Sequence, residues 1–304
     1  MFDAQRFGLD LDALSQKLAG ADQPMEEGKV TQVVGLVIEG YVPSARLGST
    51  CEILVEGSKP VVAEVVGFRG STTLLMPLGD LSGIRMGSRI RPRKSRAAVP
   101  VGDAMLGRVF DGLGQPLDGR PMPETQHEMP LYADVINPML RRPIDEPAWM
   151  GIRAIDCMLT CGRGQRVGIF AGSGVGKSVT LGMIARNCAS DVNVIALIGE
   201  RGREVLNFIE NDLGPEGLAR SVIIAATSDT APLIRLRAAW YATAVAEFFR
   251  ARGQHVVLMM DSLTRFSMAQ REIGLAVGEP PATRGYTPSV FALLPRLLER
   301  AGRD

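Results

Sequence analysis

A chain of 304 residues with 46% hydrophobic and 5% aromatic residues has the length and composition of two soluble globular domains, which excludes a disordered or fibrous protein. Its net charge of +1 creates no bulk field that would advertise nucleic acid or a membrane surface as a partner. The four cysteines, Cys51, Cys157, Cys161 and Cys188, are scattered and accompanied by two histidines, which fits reduced cytosolic usage and not a disulfide framework or a zinc site. No apolar run approaches the roughly 20 residues that cross a bilayer, and the N-terminus lacks the apolar core of a signal peptide, so a cytoplasmic location is expected.

Residues 1–28 carry Leu9, Leu11, Leu14 and Leu18 among acidic residues, which fits either a short amphipathic helix that packs on the body or recruits a partner, or a frayed tail. Residues 29–97 change texture. Short β-branched runs at Val30 to Ile38, Cys51 to Val55, Val61 to Phe68 and Thr72 to Pro77 are broken by turn residues, which predicts a small β-barrel domain. The stretch Arg85 to Arg96 is basic, with Arg85, Arg89, Arg91, Arg93, Lys94 and Arg96. It lacks interleaved aromatics for base stacking, so it reads as a solvated face and no nucleic-acid partner is expected.

Residues 98–304 form the second predicted domain. Val99 to Pro147 is rich in glycine and proline and is expected to supply turns and surface connections, not core. After Trp149, apolar runs near Arg166 to Phe170, Val192 to Ile198, Ser221 to Ala226 and Val256 to Met260 alternate with helical patterns such as Val179 to Asn187 and Pro232 to Arg252. That alternation predicts an α/β fold, a parallel sheet covered on both faces, with ligands at the carboxyl edge of its strands.

The first of these strands runs into Ala171-Gly172-Ser173-Gly174-Val175-Gly176-Lys177-Ser178 and then a helix beginning at Val179, the layout of a phosphate-binding P-loop. Glycines let backbone N–H groups curl around anionic oxygens, and the following helix N-terminus favours negative charge. Lys177 would reach the β- and γ-phosphates and Ser178 would hold Mg²⁺. Ala171 departs from the relaxed pattern, which has glycine there.

Three groups follow apolar runs by one or two residues and should therefore stand beside the loop. Asp261 ends Val256 to Met260, the expected place of an acid that organises the Mg²⁺ shell. Glu200 follows Val194 to Gly199 and is suited to orient and polarise an attacking water. Arg201, Arg203 and Arg265 lie near these acids in sequence, able to touch a γ-phosphate or hold the acids in place, while Arg203 and Glu204 each read as a strand-end cap or a member of an ion pair. A glycine loop, a lysine, Mg²⁺, a water-orienting acid and an arginine are the parts that phosphoryl transfer needs, because its catalysis is mainly positioning and charge neutralisation.

Gly199-Glu200-Arg201-Gly202-Arg203-Glu204, Met260-Asp261-Ser262-Leu263-Thr264-Arg265-Phe266 and Gly278-Glu279-Pro280-Pro281-Ala282-Thr283-Arg284-Gly285-Tyr286 resemble the type III secretion ATPases, in particular the flagellar protein export ATPase, relatives of the catalytic subunit of rotary F- and V-type ATP synthases. The loop beginning with Ala171 is similar to the form that family uses. The resemblance covers the chain from about Val30 to its end. It implies a RecA-like P-loop core, ATP bound by Gly172, Ser173, Gly174, Val175, Gly176, Lys177, Ser178 and Val179, Mg²⁺ at Ser178 and Asp261, Glu200 as the catalytic carboxylate, and Lys177, Arg201 and Arg265 around the γ-phosphate.

By the same resemblance the protein would hydrolyse ATP to energise export of flagellar proteins. It would form a homohexamer, with a stator-like negative regulator at the N-terminal segment, and would meet the export gate and chaperone-cargo complexes at the inner membrane as a peripheral protein. The family continues past the position of Asp304 with more of the nucleotide domain and a helical domain, including an adenine-stacking aromatic and an arginine that reaches a neighbouring site. A chain ending at Asp304 is therefore expected to hydrolyse ATP poorly, since such an arginine is worth about 10³ to 10⁵ in rate. The competing readings are the ATPase of a virulence-type secretion system, an RNA translocase of the Rho-like ring type, and a non-catalytic ring subunit. The second needs stacking aromatics on the barrel, where the sequence offers Tyr41 and Phe68, and the third has no use for Glu200.

Overall fold

The computed structural model describes residues 26–93, 97–172 and 174–303. The leucine-bearing segment at the N-terminus, Lys94, Arg96 and Ser173 lie outside the described residues.

Six strands close into a barrel: β1 (Gly28–Val34), β2 (Val37–Tyr41), β3 (Thr50–Ile53), β4 (Val61–Arg69), β5 (Thr72–Pro77) and β6 (Arg89–Pro92), in the order β1-β2-β5-β4-β3-β6. The apolar run from Val30 to Ile38 is a hairpin and not one strand, because Val34 pairs with Val37 around a turn at Gly35 and Leu36. Alternation along the strands sends Val30, Ile38, Ile53, Val65, Leu75 and Ile90 inward, and closure leaves the barrel without an open edge. Part of the basic stretch is thus structural: β6 bridges β1 and β3, and its arginines point outward. Arg91 lies 3.0 Å from Glu27 and Arg93 2.6 Å from Glu52, so these side chains meet acids on the barrel's own surface.

A short antiparallel pair follows, β7 (Ala98–Val101) with β9 (His127–Pro130), and between them comes β8 (Arg108–Phe110). The strand β8 corrects the expectation that the glycine- and proline-rich region holds no core. All three of its residues are buried, and it is the fourth strand of the parallel sheet. Three residues are too few to show periodicity in the sequence. What holds the strand is Arg108, whose Nε donates to Asp118 Oδ2 at 2.5 Å, and its pairing with a strand more than 100 residues away.

The rest of the second domain is β10 (Pro147–Ala148), α1 (Arg153–Met158), β11 (Cys161–Gly162), α2 (Lys177–Asn187), β12 (Val192–Glu200), α3 (Gly202–Asn207), α4 (Gly214–Ala219), β13 (Ser221–Thr227), α5 (Pro232–Ala251), β14 (Val256–Asp261), α6 (Leu263–Val277) and α7 (Pro288–Arg300). The sheet order is β14-β12-β13-β8, and all its pairs are parallel. Residues Val192, Val194, Ala196 and Ile198 face one layer, with α5 and α6. Ile195 and Leu197 face the other, with Leu181, Ile184 and Ala185 of α2. Burial on both faces explains why these strands read as unbroken apolar runs.

The expected strand from Arg166 to Phe170 is not part of this sheet. Phe170 is 97% exposed and Val167 58% exposed. Among the described residues no strand pairs with the outer edge of β14, and a groove of about 1000 Å³ separates that edge from Gly162 to Val167. Apolar sequence favours a strand only where a hydrogen-bonding partner is present beside it.

Barrel and core are joined by a buried ion pair. Arg237 of α5 donates to Glu64 of β4 at 2.6 Å, and the Tyr132 hydroxyl donates to the other oxygen of the same carboxylate at 2.7 Å. A second contact runs from Arg69 of the barrel to the Val277 carbonyl at the C-terminus of α6, 3.2 Å. Arg300 of α7 is 2% exposed and holds Glu247 of α5 with two hydrogen bonds of 2.8 and 2.6 Å.

Candidate functional site

The glycine loop enters α2 through Gly176, whose φ of 94° lies in the left-handed region, as does the 77° of Gly174. A side chain at either position would strain the backbone, while nothing lies within 4 Å of where their Cβ atoms would be. The space in front of the loop is open. Among the described residues no side chain caps α2, so the N–H groups of its first turn keep their capacity for an anion. Gly172, Val175, Ser178 and Val179 are exposed around this opening.

Lys177, the first residue of α2, turns inward: its Nζ donates to Asp261 Oδ1 at 2.5 Å. The Asp261 side chain is 5% exposed and that of Lys177 30%. Alternation along β14 puts Val257 and Met259 on the α2 face, and Asp261 continues that series. Ser262 caps the next helix, its hydroxyl accepting from the Arg265 backbone N–H at 3.3 Å. The chain thus leaves the sheet directly after the acid.

Glu200 ends β12 beside this pair. Burial, followed by a hydrogen bond with Glu204, pushes its carboxyl up to about 7. Glu204 is held low, chiefly by the same hydrogen bond. Arg265 opposes the rise: its guanidinium lies 3.5 Å from Glu200 and also donates to the Gly199 carbonyl. Arg201 takes another direction, lying 65% exposed at the start of α3 with Glu204 at 3.4 Å.

Of the residues singled out in the sequence, the structure thus brings Lys177, Asp261, Glu200 and Arg265 together. Ser178 and Val179 lie at the loop mouth, and Arg201 is turned toward Glu204. Sequence reasoning underrated Glu204, which touches Glu200 as well as Arg201. Its signal was the four-residue spacing from Glu200 across a strand-to-helix turn.

A glycine loop, a lysine on a buried acid and a second acid whose carboxyl is raised to about 7 thus stand together. Residues 151–304 match the model of the ATP synthase alpha/beta family, nucleotide-binding domain, and residues 30–94 match that family's beta-barrel domain.

The chain belongs to the ATP synthase alpha/beta family.

Among its relatives in that family, the flagellum-specific ATP synthase of Salmonella typhimurium is 54% identical over 302 residues, covering 96% of this chain and 66% of that protein. The flagellum-specific ATP synthase of Pseudomonas aeruginosa is 52% identical, over 97% of this chain and 66% of that protein. The type 3 secretion system ATPase of Xanthomonas euvesicatoria is 52% identical, over 95% and 66%. Of solved structures, the assembled ATPase EscN from the type III secretion system of enteropathogenic E. coli superposes with a TM-score of 0.84 at 46% identity, covering 91% of this chain and 66% of that one. The chain therefore spans about two thirds of the length of these relatives. The closed barrel falls largely within the match to the beta-barrel domain, and the lysine–aspartate pair within the match to the nucleotide-binding domain.

Proposed function

We propose that this protein is a Mg²⁺-dependent ATPase that energises protein export through a type III secretion apparatus, the flagellar one in particular. The single observation that carries the hydrolytic reading is the 2.5 Å contact between Lys177 and the buried Asp261, with Glu200 close enough to feel its charge. An ammonium already resting on a carboxylate beneath an open glycine loop is a cation held ready for phosphate oxygens. The N–H groups at the start of α2 and Lys177 bind and orient the triphosphate. Glu200, once ionised, accepts a hydrogen bond from the attacking water and aligns it. Arg265 holds Glu200 and offsets charge that spreads over the transferring phosphoryl group.

The donor chemistry suits Mg²⁺. Ser178 and Asp261 offer hard oxygen donors only, and the described residues contain no cluster of three His, Cys, Asp or Glu that would make an all-protein cage. Mg²⁺ is commonly held by one or two side-chain oxygens together with substrate phosphates. When bound it would neutralise phosphate charge.

The export reading rests on the relatives. Two flagellum-specific ATP synthases and a type 3 secretion system ATPase stand at 52 to 54% identity. The flagellar assignment rests on the wording of Ala269 to Glu272 and Ala282 to Tyr286. Self-assembly follows by analogy with assembled EscN and a stalk partner by analogy with its complex with the central stalk EscO, while the homohexameric ring follows from the family resemblance. We further propose a negative regulator at the N-terminal segment, export-gate and chaperone-cargo contacts, and a cytoplasmic, membrane-peripheral location. Among the described residues no helix is long and apolar enough to cross a membrane.

The test has two arms. The intact protein is expected to release phosphate from ATP with Mg²⁺ and to stop when the metal is chelated; unchanged release with chelator would reject the mechanism. Its gene is expected to restore swimming to a flagellated bacterium lacking its own export ATPase, and restoration of virulence-type secretion alone would reject the flagellar assignment.

A further inference from the structure

The placement of Glu200 depends on an irregularity in β12. Along this strand Ile198 faces the α5 and α6 layer, and Leu197 faces the α2 layer. With a strand's period of two, Glu200 should share the face of Ile198 and point away from the glycine loop. The register shows otherwise. Ile198 pairs with Ala226 and Glu200 with Thr227, so two residues of β12 advance against one of β13. Thr227 follows Ile223 and Ala225, which face α2. The extra residue is Gly199, with φ of 69°. It forms a one-residue bulge, the device that re-aims a side chain. The strand end stays attached, since the Ser228 N–H donates to the Glu200 carbonyl at 3.0 Å.

Arg265 lies over the bulge. A Cβ at Gly199 would stand 3.0 Å from Arg265 Cδ and 3.2 Å from its Cβ, and the Gly199 carbonyl accepts from the guanidinium. Both the left-handed backbone and the close approach of Arg265 therefore require glycine. We propose that Gly199 is a positioning residue: its bulge turns the Glu200 side chain from the α5 and α6 face to the α2 face, where Lys177 and Asp261 stand. A side chain there disturbs the placement of Glu200 without touching the loop that binds the phosphates. The proposal rests on the reading of Glu200 as the group that orients the attacking water.

The experiment measures ATP turnover and fluorescent-nucleotide affinity of the intact protein carrying G199A, G199N, E200Q, the double variant G199A/E200Q, and G202A as a control. Gly202 has open space around it and no left-handed φ, so G202A should leave both quantities unchanged. G199A is expected to lower turnover about 100-fold, the low end of what a positioned base contributes, with nucleotide affinity held within about threefold. The double variant should be no slower than E200Q, because both changes remove one function. G199N carries the same Cβ as G199A on a left-handed backbone that asparagine accepts more readily, so it should fold at least as well and lose turnover too.

Turnover of folded G199A within about threefold of the parent, or additive losses in the double variant, would overturn the proposal. If E200Q itself turns over normally, the reading of Glu200 fails instead. The crystal structure of G199A then decides the placement: a Glu200 carboxyl displaced from Asp261 supports it, and one unmoved overturns it. If G199A fails to fold, G199N carries the same comparison. Loss of turnover with retained affinity supports the proposal, and parental turnover overturns it.

Discussion

Lys177 Nζ and Asp261 Oδ1 lie 2.5 Å apart, joining the first residue of the helix behind the glycine loop to the last residue of the strand β14. The contact ties two elements 84 residues apart and sets a cation directly beneath the loop. Replacing Lys177 with alanine removes that cation and leaves Asp261 buried without it. K177A is expected to lower ATP affinity at least 100-fold by titration calorimetry, a loss of about 2.7 kcal/mol. Unaltered affinity would contradict the assignment of the loop.

Glu200 should show itself in the pH dependence of the reaction. Its carboxyl is pushed up to about 7, by burial first and by Glu204 next, and only its ionised form can accept a proton from water. The kcat/KM for ATP is therefore expected to rise with pH through about 7, and E200Q to lose both that limb and about 10² to 10⁴ in turnover. E204A should move the limb to lower pH, since the hydrogen bond that retains the proton is gone. A profile that E200Q leaves intact would contradict the role.

The same group bears on stability with the opposite sign. A carboxyl raised in the folded state binds its proton more tightly there than in the unfolded chain. Its contribution is fully present below the unfolded value and is lost as pH rises through about 7. Urea unfolding of E200Q at a series of pH values should show a flatter decline than the parent over that window. An equal decline would assign the pH dependence to other groups.

The joint between the two domains is predicted to be strongly coupled. Arg237 and Glu64 have side chains 8% and 5% exposed, and removing either partner strands a buried charge. E64A or R237A is expected to cost about 3–5 kcal/mol in denaturant unfolding, and the apolar pair E64L/R237M to cost less than either. Additive losses in that double variant would show that the pair is not coupled.

Arg300 fastens α7 onto α5 in a similar way. Its guanidinium makes two hydrogen bonds to Glu247, a third to the Leu131 carbonyl at 2.6 Å, and lies 5.5 Å from the Trp240 ring centre. Lysine carries the charge but lacks the planar fork, so R300K should lower the thermal midpoint nearly as far as R300A. A midpoint close to the parent for R300K would assign the role to charge alone.

What the sequence by itself determined was whatever short spacing controls. Unbroken apolar runs marked β12, β13 and β14 because each strand has apolar packing on both faces, and the glycine spacing ahead of Lys177 marked the loop because few other residues tolerate its backbone. Asp261 was legible as a strand-end acid by simple alternation, and the family was legible from three motifs. Only the tertiary structure decided the rest. Arg108 to Phe110 became a strand through pairing with β13, Arg166 to Phe170 did not enter the sheet, and Arg265 came to lie over Gly199 from a helix 66 residues away. Each of these depends on a partner far along the chain. The face that Glu200 takes is the sharpest instance: the sequence places it at the strand end, but the face follows from a bulge visible only in the register with β13.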